Sequence, residues 1–205
     1  MTDNCLMTDS DHYFSTTPRA EATPRQVSFH AAGRDITLTA ASGVFSAGRL
    51  DPGTAVLLRK APLPTEPGDY LDLGCGYGPV AVTLALASGG EVTAVDVNAR
   101  ALELVAANAK RLEVSIRAST PEQVPPDARF DQIWSNPPIR IGKAALHDLL
   151  RLWLPRLKPG GVAWLVVARH KGGDSLADWL GDQGYPTVKH ASQKGYRILR
   201  VSARE

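Results

Sequence analysis

From residue 69 onward, short apolar runs alternate with helical patterns, and this alternation constrains the fold more than any other feature of the chain. Strand-like runs cover 70–73, 91–96, 114–118, 130–135 and 162–168. Helical patterns cover 79–88, 99–112, 175–183 and 143–157, the last with a kink expected near Pro155. Two more strand-like runs, about 187–192 and 196–202, predict a terminal hairpin. We therefore expect an α/β fold with a doubly wound, mostly parallel seven-stranded sheet and one antiparallel strand near the C-terminus.

The residues before this pattern predict an N-terminal extension. Residues 1–24 are polar, and 27–30 and 36–39 alternate apolar and polar side chains with a period of two, which is typical of a β-hairpin. A loop over 43–53, a short helix over 54–59 and a Pro-rich stretch over 61–68 follow. We expect one compact unit of 205 residues, with an arm, hairpin and covering loop in 1–60 and a catalytic domain in 61–205.

Composition excludes several classes of protein. With 43% apolar and 21% charged residues, the chain is neither disordered nor fibrous. Its longest apolar runs, 80–87 and 162–168, are far shorter than the roughly 20 residues of a membrane helix. The first 18 residues carry acids but no Lys or Arg, which argues against a targeting presequence. Cys5 and Cys75 have no disulfide or metal-site spacing, so we expect a cytoplasmic protein without a metal.

The first motif with chemical content is a glycine-rich turn between the first strand and helix of the α/β region. It reads Asp72-Leu-Gly74-Cys-Gly76-Tyr-Gly78. Glycines let the backbone turn sharply and approach a ligand, while the helix N-terminus presents free N–H groups. Pro79 stands where a nicotinamide-binding turn has its third glycine, and the Asp72 carboxylate would repel a diphosphate. The turn therefore favours a ligand that carries a cationic amine.

The second motif is Asp96, at the end of the second strand. An acid at this place in a doubly wound fold accepts hydrogen bonds from ribose hydroxyls. Asp96 would also serve as the N-cap of the following helix, and the two roles are compatible. Together with the glycine turn, Asp96 indicates an adenosine-type ligand.

The third motif is Asn136-Pro137-Pro138-Ile139, which follows the fourth strand. The two prolines restrict the backbone, so that a carbonyl group and the Asn136 side-chain oxygen can converge on one point. Two converging acceptors suit an exocyclic –NH₂ group, whose lone pair they localise and aim. As an isolated tetrapeptide the motif is more often a simple turn, but its place beside the other two motifs favours a site.

These three motifs together resemble those of class I S-adenosylmethionine-dependent methyltransferases that modify planar amino nitrogens. The chain is most similar to the methyltransferase small domain family, in particular to its small-subunit ribosomal RNA guanine-N2 methyltransferases of the C type. The similarity extends to residues 11–15, to Gly43-Val-Phe-Ser46, to Asp51-Pro-Gly-Thr54 and to 136–143. The C-type enzymes resemble a fusion of two such domains, the first degenerate, and this chain matches only the catalytic half.

The resemblance implies a Rossmann-like fold, S-adenosylmethionine as the cofactor, and a role for each motif. The cofactor would be held by Asp72, Gly74, Cys75, Gly76, Gly78, Asp96 and Asn98, and covered by Phe45 and Ser46. The target base would lie against residues 136–139. Many enzymes of this kind have an aromatic residue where this chain has Ile139, so stacking on the base is expected to come from elsewhere or to be weaker.

The last third of the chain is basic, and this points to a polyanionic partner. Residues 140–205 contain 12 basic and 5 acidic residues. Arg140, Lys143, His170 and Lys171 are candidates for contact with nucleic-acid phosphate, although a solvated surface explains them equally well. With the resemblance, the predicted partner is ribosomal RNA or the small ribosomal subunit.

The sequence therefore predicts methyl transfer to the exocyclic N2 amine of a guanine in small-subunit ribosomal RNA. An alternative is the same chemistry on adenine N6 of nucleic acid or on a glutamine amide of a protein, because Asn-Pro-Pro alone does not distinguish these amines. A second alternative is a non-catalytic RNA-binding module with a degenerate methyltransferase fold. The intact glycines, Asp96 and Asn136 argue against that alternative.

Overall fold

The computed structural model describes residues 23–46, 48–138, 141–169 and 173–204. Its strands are β1 (Pro24–Ala31), β2 (Arg34–Ala41), β3 (Tyr70–Leu73), β4 (Val92–Val95), β5 (Ile116–Ser119), β6 (Phe130–Ser135), β7 (Leu157–Ala168), β8 (Thr187–Gln193) and β9 (Tyr196–Ser202). Its helices are α1 (Pro52–Lys60), α2 (Pro79–Ser88), α3 (Ala99–Arg111), α4 (Lys143–Trp153) and α5 (Gly173–Asp182).

Seven strands form one sheet in the order β5-β4-β3-β6-β7-β9-β8. The pairs from β5 to β7 are parallel, whereas β9 runs antiparallel to both β7 and β8. The strand order reverses between β3 and β6, and ligands of doubly wound folds bind beyond the carboxyl ends at such a point. This sheet, with β1 and β2 as a separate hairpin, confirms the predicted fold class.

Helices cover both faces of the sheet. Buried side chains of α1, α2, α3 and the hairpin form one core cluster, and those of α4 and α5 form the other. Neighbouring residues of a strand point to opposite clusters, as with Ile133 and Trp134 of β6, because side chains alternate along a strand. None of the helices in the described parts of the chain is long and apolar enough to cross a membrane.

The helix expected over 143–157 is shorter than predicted. It ends at Trp153, a single 3-10 turn over Leu154–Arg156 follows, and β7 already begins at Leu157. Pro155 has no N–H to continue the helical hydrogen bonds, so the chain leaves the helix instead of kinking within it. The prediction of one kinked helix was wrong at its C-terminal end.

The N-terminal hairpin is attached to the main sheet through α3. Asn108, a buried residue of α3, accepts a hydrogen bond from the Thr39 N–H at 2.9 Å and donates to the Thr39 carbonyl at 2.8 Å. Its amide also donates to the Tyr77 carbonyl at 3.0 Å. These contacts place the hairpin beside the glycine turn, and the boundary near residue 60 stays a prediction.

Candidate active site

The glycine turn follows β3 and is closed by backbone hydrogen bonds to the end of β4. The N–H groups of Gly74 and Cys75 both donate to the Val95 carbonyl, at 2.8 and 3.0 Å. The three glycines have positive φ, a region in which other residues are strained: Gly74 (+78°), Gly76 (+54°) and Gly78 (+96°). The turn therefore has the backbone form that the sequence predicted.

Gly78 is also required by packing. A Cβ at this position would lie 2.4 Å from Cγ2 of Val105 on α3, whereas a Cβ at Gly74 would meet nothing within 4 Å. The close contact brings α3 against the end of the turn. The open space at Gly74 leaves its backbone accessible to a ligand.

Asp72 is buried beneath the turn. Its Oδ2 accepts a hydrogen bond at 2.8 Å from the N–H of Ala81 in the first turn of α2. Burial raises the pKa of the Asp72 carboxyl to about 7, the Ala81 N–H opposes the increase, and the nearby charge of Asp96 adds to it. A cationic amine beside Asp72 would compensate the cost of its buried charge, so this carboxylate fits the amine end of S-adenosylmethionine.

Asp96 links the glycine turn to the end of its own strand. Its Oδ2 accepts from the Gly76 N–H and its Oδ1 from the Asn98 N–H, both at 2.9 Å. Burial raises the Asp96 pKa, and these backbone N–H groups, with that of Val97, counteract it. Each carboxylate oxygen has capacity for a further hydrogen bond, which two ribose hydroxyls would use.

Asn98, rather than Asp96, is the N-cap of α3. Its Oδ1 accepts from the N–H groups of Arg100 and Ala101, at 3.0 and 3.4 Å. Its Nδ2 donates to the Gly43 carbonyl at 2.8 Å, and the residue is 3% exposed. Asn98 thus joins the loop after the hairpin to the start of α3, at the carboxyl edge of the sheet.

That loop lies against the glycine turn. Cγ1 of the buried Val44 would be 3.9 Å from a Cβ on Gly76. Phe45 is 38% exposed, and Ser46, with a φ of +57°, donates from Oγ to the Arg49 carbonyl at 2.7 Å. The position of Phe45 and Ser46 next to Val44 is compatible with the predicted cover over a bound cofactor.

Asn136 lies at the carboxyl end of β6, next to β3. Its Nδ2 donates one hydrogen bond to Asp51 Oδ1 at 2.8 Å and another to Thr54 Oγ1 at 3.0 Å. The preceding Ser135 is buried and donates to the Leu73 carbonyl at 2.7 Å. Among the described residues nothing donates to Asn136 Oδ1, so the side-chain oxygen is available as an acceptor.

Asp51 and Thr54 belong to the first turn of α1. Asp51 is the N-cap, its Oδ1 accepts from the Thr54 N–H at 2.9 Å, and Pro52 follows it. In the sequence, these residues stand out only as part of a motif shared with the family, which predicts no role for them. An Asp-Pro pair that opens a helix was the available signal, but it predicts a cap and not a contact with Asn136.

Tyr77 is a buried residue of the glycine turn, and it lies near the charge of Asp51. It is 2% exposed, and its hydroxyl has no hydrogen-bond partner within the described residues. Burial raises its pKa, and the negative charge of Asp51 raises it further. The buried hydroxyl of Tyr77 in the glycine turn therefore lies within electrostatic range of Asp51 at the start of α1.

The structure describes only part of the Asn-Pro-Pro-Ile motif and of the basic candidates. Ile139, Arg140, His170 and Lys171 lie outside the described residues, so their predicted roles stay predictions. Pro137 is buried, Pro138 is half-buried, and Lys143 is exposed at the start of α4.

Two more basic residues lie at the carboxyl edge of the sheet. Arg169 is exposed after β7, and its N–H donates to the Gly195 carbonyl at 2.8 Å. The exposed Lys194, at the tip of the β8–β9 hairpin, is therefore near the end of β7. The sequence does not predict that these two residues are close, because their proximity depends on the antiparallel pairing of β7 with β9.

Trp134 lies in the core. It is fully buried, its Nε1 donates to Gln132 Oε1 at 2.8 Å, and its ring packs near that of Trp164. Two surface clefts, of about 410 and 510 Å³, share Asp69, Glu91, Thr93 and Lys158, and neither includes the glycine turn. They lie near the amino ends of β3 and β4, away from the residues described above.

The chain is similar in sequence to several known proteins. The family model described as "Methyltransferase small domain" matches residues 35–200. The Bacillus subtilis protein YbxB is 32% identical over 197 residues, which cover 94% of this chain and 98% of YbxB. Ribosomal RNA small subunit methyltransferase C of Alcanivorax borkumensis is 35% identical over 167 residues, 78% of this chain and 50% of that protein.

A solved structure gives the same relationship in three dimensions. The T. thermophilus 16S rRNA N2 methyltransferase RsmC, in complex with AdoMet and guanosine, superposes with a TM-score of 0.74 at 29% identity. The match covers 91% of this chain and 52% of RsmC. The chain thus spans about half the length of the ribosomal RNA methyltransferases that it matches.

Proposed function

The chain belongs to the methyltransferase small domain family of S-adenosylmethionine-dependent enzymes, and we propose that it methylates the exocyclic N2 amine of a guanine in small-subunit ribosomal RNA. The observation that carries this proposal is the orientation of Asn136. Its amide hydrogens are both directed to Asp51 and Thr54, which leaves its oxygen as an acceptor at the carboxyl edge of the sheet. The acceptor suits a planar amine.

The cofactor supplies a methyl group bound to a sulfonium, which is already electrophilic. Asp72 would pair with the cationic amine of the cofactor, Asp96 would accept from its ribose hydroxyls, and Phe45 with Ser46 would cover it. The turn from Gly74 to Gly78 would let the backbone approach the cofactor closely, because its glycines carry no side chains. These residues would orient the methyl group toward Asn136.

Asn136 Oδ1 and a backbone carbonyl of the Asn-Pro-Pro segment would accept the two hydrogens of the target amine. This localises the nitrogen lone pair, which otherwise is delocalised into the ring, and aims it at the methyl carbon. As the N–C bond forms, the C–S bond breaks and its electron pair stays on sulfur. The nitrogen becomes cationic and acidic, and its proton leaves to water beside Asn136. Because the proton leaves only after the nitrogen has become acidic, no strong general base is required. Positioning of this kind can lower a barrier by about 7–11 kcal/mol.

Ribosomal RNA as the substrate is supported by two kinds of observation. Relatives that this chain matches over about half of their length are named ribosomal RNA small subunit methyltransferase C. The solved structure of RsmC is a complex that contains guanosine. The basic character of residues 140–205 favours a polyanionic partner, and ribosomal RNA or the assembled small subunit in the cytoplasm fits it. The target base would be unstacked or flipped out to reach Asn136.

The test of the reaction is to map the methylated product. The protein is incubated with methyl-labelled S-adenosylmethionine and either naked small-subunit ribosomal RNA or assembled small subunits, and the RNA is digested to nucleosides. Labelled N2-methylguanosine is expected. Labelled N6-methyladenosine, or label in a ribosomal protein, would instead support one of the alternative amines, and no cofactor binding by calorimetry would support the non-catalytic module.

Variants of Asn136 connect the product to the site. Asn136→Ala is expected to keep cofactor affinity within a few-fold and to lower kcat by about 10² or more, because the lost acceptor matters most when the nitrogen becomes cationic. Asn136→Asp retains an oxygen of the same size, but it replaces the NH₂ donor that faces Asp51 Oδ1 by a second oxygen. The two carboxylates would repel each other, so kcat is expected to fall about as far as in Asn136→Ala. If Asn136→Ala is nearly as active as the parent, the segment is only a turn.

Charge reversal tests the RNA contact. Arg140, Lys143, His170 and Lys171 stay candidates, and the described pair Arg169 and Lys194 extends the same edge. Arg169→Glu with Lys194→Glu is expected to weaken RNA binding for any sequence and to reduce the dependence of log Kd on log salt by about 2. Arg129→Glu, an exposed position beside the distant clefts, is the control. Equal effects of the double variant and the control would indicate that Arg169 and Lys194 belong to an ordinary solvated surface and do not contact RNA.

A further inference from the structure

The first turn of α1 holds the Asn136 amide in one of its two orientations. Nδ2 has two hydrogens, and it contacts two acceptors, Asp51 Oδ1 at 2.8 Å and Thr54 Oγ1 at 3.0 Å. We infer that Asp51 is a positioning residue for methyl transfer, which acts through Asn136 by directing the Asn136 oxygen at the target amine. The inference rests on the proposed function of Asn136 as the acceptor for that amine.

The chemistry of Asp51 determines the direction of the amide. An ionised carboxylate only accepts hydrogen bonds, whereas a hydroxyl such as that of Thr54 can accept or donate. If the Asn136 amide were reversed, its oxygen would face the Asp51 oxygen at hydrogen-bond distance, and both atoms would repel. A hydrogen bond to a charged acceptor is also stronger than a neutral one, so the observed orientation is strongly preferred.

The contact is more than helix capping requires. As the N-cap of α1, Asp51 needs only to accept from the Thr54 N–H, and a serine would do this as well. The contact with Asn136 joins residues 85 positions apart, on α1 and after β6. Gly53 permits this arrangement, because a Cβ there would lie 2.9 Å from both Asp51 Oδ1 and Cε1 of Tyr196.

Two substitutions separate positioning from capping. Asp51→Ser retains a good N-cap but is too short to reach Asn136, whereas Asp51→Asn retains both a cap and a neutral acceptor. We expect kcat to fall ten- to a hundredfold in Asp51→Ser and by less in Asp51→Asn. KM for RNA, cofactor affinity and unfolding midpoint should change little in either. Loss of kcat in proportion to lost stability or cofactor affinity would overturn the inference.

A double-variant cycle tests whether Asp51 acts through Asn136. In the Asn136→Ala background, Asp51→Ser should lower kcat by less than twofold, because the group that it positions is already absent. A full ten- to a hundredfold further loss would show that Asp51 acts by another route, and the inference would be wrong.

A measurement on the protein alone tests the orientation of the Asn136 amide without any RNA substrate. In ¹⁵N NMR spectra, the side-chain NH₂ signals of Asn136 should exchange slowly with water in the parent and in Asp51→Asn, and rapidly in Asp51→Ser. Slow exchange that persists in Asp51→Ser would refute the positioning role even if no RNA substrate is methylated. Conversely, the expected NMR result with no RNA methylation would leave the amide orientation intact and refute the proposed function.

Discussion

Replacement of Asp72 by asparagine is expected to stabilise the folded chain at alkaline pH and to impair cofactor binding. Asp72 is 2% exposed, and burial raises the pKa of its carboxyl from an ordinary 3.8 to about 7. Between these two values the unfolded chain is ionised at this position while the folded chain keeps its proton. The folded state therefore loses stability as the pH rises from about 4 to about 7, and the full cost is present above pH 7.

The size of the expected stability change follows from the raised Asp72 pKa and from the NH₂ group that asparagine would bury. Burial raises the Asp72 pKa by about 3. Because each pKa unit corresponds to about 1.36 kcal/mol, ionised Asp72 costs the folded state about 4 kcal/mol. Asparagine has no charge and its oxygen can still accept from the Ala81 N–H, but its buried NH₂ would cost about 1–3 kcal/mol if unpaired. Asp72→Asn should therefore be about 1–3 kcal/mol more stable than the parent above pH 7. Near pH 4, where the parent carboxyl is neutral, it should be less stable by about 1–3 kcal/mol.

The assay is urea unfolding of the parent and of Asp72→Asn at a series of pH values from about 4.5 to 8.5. Asp148→Asn, an exposed position, is the control and should differ from the parent by less than about 0.5 kcal/mol throughout. Calorimetry at pH 8 should show at least a tenfold weaker affinity of Asp72→Asn for S-adenosylmethionine, because the carboxylate partner of its amine is lost. A stability difference that does not change with pH would refute the reasoning about the buried charge.

Two further predictions concern the same turn. Gly78→Ala should destabilise the fold by about 2–5 kcal/mol, because its Cβ would add a close contact with α3 to backbone strain. Gly74→Ala should cost only the backbone strain of about 1–2 kcal/mol. Equal losses of stability in urea unfolding would contradict this prediction. Asp96→Ala should weaken cofactor binding ten- to a hundredfold in calorimetry, and Asp96→Asn, which can still accept from the Gly76 N–H, should weaken it less. An Asp96→Ala protein that folds and binds normally would show that the cofactor does not lie against Asp96.

The sequence was sufficient for most of the fold, and it also predicted where the candidate site lies. Apolar runs and helical patterns are local, and a strand between helices in a doubly wound fold has few alternative arrangements. The glycine turn, Asp96 and Asn136 each follow a predicted strand, and parallel strands bring their carboxyl ends to one edge. The end of α4 was misjudged because the helical pattern continues past Trp153, while backbone hydrogen bonding does not continue through Pro155.

The tertiary structure decided which atoms of these residues meet. Asp51 and Thr54 are recognisable as a helix start, but their contact with Asn136 depends on how α1 docks against the sheet. Similarly, the residues next to Asp72 in the sequence do not reveal a pKa of about 7, which requires burial of the carboxyl group in the packed fold. Local patterns determine secondary structure because they depend on near neighbours along the chain. The direction of an amide and the charge of a buried acid depend on neighbours in space, which only the packed fold brings together.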